Sequence, residues 1–118
     1  MTTKGTIERY FERLKQKADW PSTLADDMVF SSMTSPVKQV KGKGAFLERT
    51  KGFYSMIREV QVRDLVIDGD RAVALTHYEL APPNGGLQFA SDVAEIFRVK
   101  QDKIDALDIY FDATPFPK

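Results

Sequence analysis

The apolar positions of this chain change spacing partway along it, from the three-and-four rhythm of helices to the alternation of strands. Ile7, Tyr10, Phe11, Leu14 and Ala18 recur at helical intervals, with Glu8, Arg9, Glu12, Arg13 and Lys15 on the opposite side. They predict an amphipathic first helix whose start is loosened by Gly5. Trp20-Pro21-Ser22-Thr23-Leu24 reads as a break and a short helical turn, since proline is tolerated only at a helix start. Met28 to Met33 predicts a strand, and Pro36 to Val40 a short irregular piece. A second long helix is expected from about Gly44 to Ile57. Its apolar face carries Phe46, Leu47, Phe53, Tyr54 and Ile57, and Gly52 costs it about 1 kcal/mol relative to alanine.

After Ile57 the period becomes two. Val60, Val62, Leu65 and Ile67 lead into Asp68-Gly69-Asp70, a hairpin signal. Arg71 to Leu80 returns, Pro82-Pro83-Asn84-Gly85-Gly86 forces a wider turn, and Leu87 to Val99 is a long strand. Gln101-Asp102 makes a tight turn into a last strand, Lys103 to Phe111. Helices grouped ahead of consecutive hairpins predict an α+β layer structure that closes on an antiparallel meander, not an alternating βαβ chain. With 118 residues and no repeat or linker, residues 1–118 are expected to form one domain.

Charge and composition remove several function classes. Seventeen basic against seventeen acidic residues leave no net field for a phosphate backbone, so nucleic acid is not an expected partner. With no cysteine, one histidine and no carboxylates clustered at ligand spacing, neither a metal nor another cofactor is expected. No stretch approaches the roughly 20 apolar residues of a membrane span. The charged start MTTKGTIERYFERLK has no signal-peptide core, so a cytoplasmic protein without a membrane partner is the expectation.

Particular residues also resemble a known family. Phe97-Arg98-Val99-Lys100-Gln101-Asp102-Lys103-Ile104, Leu107 and Tyr110-Phe111-Asp112 look like the closing hairpin of SnoaL-like proteins. Leu24 to Phe30, followed by Gly42-Lys43-Gly44-Ala45-Phe46, resembles their first strand and second-helix entry. These proteins belong to the superfamily of nuclear transport factor 2 and ketosteroid isomerase. The resemblance implies a cone-shaped NTF2-like roll: N-terminal helices packed on a strongly curved, mostly antiparallel sheet around an apolar cavity. It also implies a homodimer through the open face of the sheet. For that face the alternation nominates Ala72, Ala90, Ala94, Ile96 and Tyr110. Members include polyketide cyclases, steroid isomerases, dehydratases, epoxide hydrolases and proteins of no known activity. The family usually has glycine where Asp102 stands; aspartate also tolerates a left-handed turn position.

Candidate chemistry follows from the strand faces. Phe89, Ser91, Val93, Glu95, Phe97 and Val99 share the greasier face of the long strand, which should bury Glu95. A buried carboxyl disfavours its charged form and can stay protonated near neutrality, as a hydrogen-bond donor or general acid. The resemblance matches Glu95 to the protonated aspartate of ketosteroid isomerase, whose oxyanion hole is the familiar case of this device. It matches Tyr10 to that enzyme's first-helix tyrosine. The enzyme's proton-shuttling aspartate, however, corresponds to Ser32, which cannot replace a carboxylate base, so steroid isomerisation by that mechanism is not expected.

Two residues are candidate bases. Asp112 matches the carboxylate of the family's Tyr-Phe-Asp ending, yet alternation turns it away from Phe111, where it would cap the strand end instead. His77, the only histidine, either pairs with Asp92 or Glu95 across the hairpin or acts as a base. Tyr10, Trp20, Phe30, Tyr54, Val93, Phe97 and Phe111 are the expected wall of a ligand cavity, or else ordinary core. The expected function is binding of a small apolar molecule carrying a carbonyl or hydroxyl. Cofactor-free proton transfer of cyclase, isomerase or dehydratase type would be its chemistry, and a non-catalytic binding or dimerisation module is the alternative.

Overall fold

The computed structural model describes residues 2–34, 36–112 and 114–116. Helix α1 (Thr3–Gln16) starts where the Thr2 hydroxyl accepts a hydrogen bond from the Gly5 amide. It stops at Lys17, whose left-handed backbone (φ 53°) lets the Lys17 and Ala18 amides close on the carbonyls of Leu14 and Arg13. This stop corrects the reading of Ala18, which lies beyond the helix and is exposed, whereas Ile7, Tyr10, Phe11 and Leu14 form the buried face. A single 3₁₀ turn (Trp20–Thr23) leads into β1 (Leu24–Ser32).

The segment read as irregular forms a short strand, β2 (Lys38–Lys41), antiparallel to β1. It is an exposed edge strand held by backbone pairing, so no apolar pattern announces it. Helix α2 (Lys43–Met56) follows Gly42, whose φ of 97° favours a residue without Cβ. Ile57, expected on that helix, instead opens β3 (Ile57–Asp68), and a register shift between Val62 and Asp64 breaks this strand's alternation. The bulge keeps Val60, Val62, Leu65 and Ile67 on one side despite their change of parity.

Strands β4 (Arg71–Leu80), β5 (Phe89–Lys100) and β6 (Lys103–Phe111) complete the meander. Gln101 and Asp102 both adopt positive φ in the last turn. Leu87 does not join β5: it precedes the strand and is 93% exposed. The sheet order is β2-β1-β6-β5-β4-β3, antiparallel except where β1 runs parallel to β6.

One sheet face packs against the helices and the other is bare. Ala72 needs correction here. It pairs with Phe97 and is 1% exposed, so it faces the core and not the bare side. The bare face instead carries Val66, Leu75 and Tyr110, exposed by 55, 46 and 47%. Pairing aligns Leu75, Ala94 and Tyr110 in one row, with Val66, Val73 and Ile96 in the next.

Candidate active site

A cavity of about 390 Å³ opens between α2 and the concave sheet. Its floor is Val93 and Glu95 of β5, Tyr78 of β4, and Leu107, Ile109 and Phe111 of β6. Phe30 and Ser32 of β1 form one side, Arg49, Thr50, Phe53 and Tyr54 of α2 another. Phe116 closes a corner, its ring against those of Phe53, Phe89 and Phe111.

Glu95 is 3% exposed, and its Oε1 accepts a hydrogen bond of 2.9 Å from the Tyr78 hydroxyl. Burial pushes the carboxyl from 4.5 up to about 7, because its charged form loses hydration. The hydroxyls of Thr76 and Tyr78 pull the other way. Thr76 does so by proximity, since its buried Oγ1 closes no hydrogen bond of good geometry. Glu95 is therefore poised to hold or release a proton near neutrality.

Three phenols surround this carboxyl. The hydroxyls of Tyr10 and Tyr54 lie 2.7 Å apart. Burial first, and then neighbouring phenols or Glu95, raises the pKa of Tyr10, Tyr54 and Tyr78 above the usual phenolic value. All three hold their protons and serve as donors.

Of the residues nominated from sequence, Phe30, Tyr54, Val93, Glu95 and Phe111 line the cavity. Tyr10 sits behind the wall, bonded to Tyr54. Trp20 stacks on the Tyr54 ring at 4.1 Å and lines a separate, smaller hollow. Phe97 is fully buried core, packed on Tyr10 and Phe11. Asp112 lies outside the cavity beyond β6, where Oδ1 accepts the Thr114 amide; that bond lowers its pKa. His77 lies on the opposite sheet face. There Nδ1 meets Asp92 at 2.7 Å and Nε2 contacts Glu79, and these bonds raise its pKa.

Ser32 lies on one rung with Ile109 and Glu95, two strands away from the latter at about 10 Å. A hydroxyl thus occupies the cavity where a second carboxylate could have stood. Sequence reasoning missed Tyr78 and Arg49. Tyr78 reaches Glu95 only through the β4–β5 register, which pairs it with Ser91. Arg49 could have been noticed, because it falls three residues after Phe46 and four before Phe53.

A curved, mostly antiparallel sheet wrapped on two helices around a pocket is the NTF2-like fold. The profile of the SnoaL-like domain matches residues 7–107, and the chain belongs to that family. No curated protein matches it. Among solved structures it is similar to a Kribbella flavida protein, with TM-score 0.79 and 23% identity over 95% of this chain and 88% of the other. A candidate isomerase from Bacillus subtilis gives TM-score 0.78 and 15% identity, covering 95% and 90% of the two chains. A candidate SnoaL-like polyketide cyclase from Mesorhizobium loti gives 0.71 and 21%, covering 93% and 99%. At these identities the likeness establishes the fold alone. Among the described residues no helix is long and apolar enough to cross a membrane.

Proposed function

We propose that this protein binds a small apolar molecule bearing a carbonyl and catalyses cofactor-free proton transfer on it, with Glu95 as the acid–base group. The observation that carries this reading is a carboxyl with a pKa of about 7 in the floor of an apolar cavity. Ionised Glu95 takes a proton from the carbon beside the carbonyl, and the electron pair moves onto the carbonyl oxygen. Tyr54 donates a hydrogen bond to that oxygen and is itself held by Tyr10. Glu95 then returns the proton to another carbon, an isomerisation, or to a departing hydroxyl, a dehydration. Asp112 and His77 are left out of this scheme because neither borders the cavity.

The test uses 2-tetralone, an apolar bicyclic ketone, in deuterated water. Wild type should speed exchange of its α-protons above the buffer rate. Glu95→Gln should lose about 10²-fold or more of that rate, while binding stays within roughly tenfold because the amide still donates a hydrogen bond. Unchanged exchange in Glu95→Gln would refute the mechanism. Binding without exchange in wild type would favour a non-catalytic binding protein, the reading to which Ser32, in place of a second carboxylate, lends weight.

The bare face of the sheet supports a homodimer as part of the same proposal, since rows of exposed Val66, Leu75 and Tyr110 are costly to leave in water. Sedimentation should give the mass of two chains, and Leu75→Glu should yield monomers that keep the fold. A wild-type monomer at high protein concentration would contradict it.

A further inference from the structure

Among the described residues lining the cavity, two side chains carry full ionisable charges: Glu95 from the sheet and Arg49 from α2. Phe46, Arg49, Thr50, Phe53 and Tyr54 fall on one stripe of α2, the face an amphipathic helix turns toward its core. Phe46 is buried and Phe53 and Tyr54 half-buried, while Arg49 is exposed yet still borders the cavity. Arg49 therefore stands at the mouth. Two other arginines are held in ion pairs, Arg63 with Asp92 and Arg98 with Asp105. Arg49 has no hydrogen bond or ion pair among the described residues. Among the described residues this rim cation of an apolar wall has no ion-pair partner, a place that a ligand's anion can fill.

We propose that the cavity's ligand is an apolar molecule with a carboxylate at one end, which pairs with Arg49 at the mouth while the rest of the molecule extends toward Glu95 and Tyr54. This rests on the ligand-binding reading above and narrows it to amphipathic acids. The planar guanidinium presents two parallel N–H donors to a carboxylate, and the greasy wall beside it weakens screening of the pair. Protonated Glu95 adds no repulsion to an acidic ligand. The two ends of the site then sort their polar groups: an anion outside, a carbonyl or hydroxyl within.

The probes are 1-naphthylacetate and its neutral amide, 1-naphthylacetamide, titrated calorimetrically at low ionic strength and about pH 6, below the Glu95 midpoint. Wild type should bind the acid about tenfold tighter than the amide, and Arg49→Gln should erase that preference while leaving amide binding within about twofold. Arg49→Lys should keep part of the preference, as a cation without the planar fork. Equal wild-type affinity for the two probes overturns the role of Arg49 and leaves a cavity that binds apolar ligands. Equal weakening of both probes in Arg49→Gln also overturns it, since Arg49 would then be only part of the wall. Binding of neither probe contradicts both this inference and the reading beneath it.

Discussion

Glu95→Gln is expected to flatten the pH dependence of stability that wild type shows between about pH 4.5 and 7. The folded carboxyl titrates near 7 and the unfolded one near 4.5, so between these values the folded state binds more protons. Stability contributed by this group is fully present below the unfolded value, erodes as pH rises and is gone above the folded one. A shift of this size corresponds to something on the order of 3 kcal/mol. His77 changes stability with the same sign, because its raised pKa favours the folded state at low pH and that benefit is lost on deprotonation. It does so in both proteins, so the difference between the two denaturation curves isolates Glu95. Parallel curves from pH 4 to 8 would show a solvated carboxylate and remove the basis of the site.

Phe46→Ala should be at least as damaging, and without any dependence on pH. Phe46 is fully buried beneath α2, its ring 5.0 Å from Phe30 and 6.1 Å from Tyr54. Truncation leaves a void between the helix and β1 and should cost about 3–5 kcal/mol. Against a total of roughly 5–15 kcal/mol for a domain, that is a large part of the whole. Urea denaturation of Phe46→Ala at neutral pH measures it. Leu87→Ala, at a side chain almost wholly in water, is the control and should change stability by less than about 0.5 kcal/mol. A Phe46→Ala loss as small as the control's would mean that α2 does not anchor the cavity wall.

How far the chain could be read follows from the physics of each signal. Alternation along β5 was enough to turn Glu95 inward, since a strand with one greasy face has only one way to bury it. Ala72 was placed on the wrong face because alanine carries no strong preference and fits a core row as readily as a bare one. Leu87 is apolar but sits after the Pro82–Gly86 turn with no strand beside it, so hydrophobicity alone overextended β5. Ala18 matched the helical period, yet nothing in that period marks the left-handed stop at Lys17. Tyr78 depended on cross-strand register, which a periodic pattern does not encode. Arg49 was hidden by its charge: on a helix, charged residues are first assigned to the solvent face, and this one borders a cavity.

The central claim is that Glu95 is a buried carboxyl that changes charge near neutral pH. The direct measurement is a carbon-13 NMR titration of the glutamate side-chain carboxyls, with Glu95 assigned by its absence from Glu95→Gln. A midpoint near 7 is the predicted result. A midpoint near the ordinary value of about 4.3 would contradict the account.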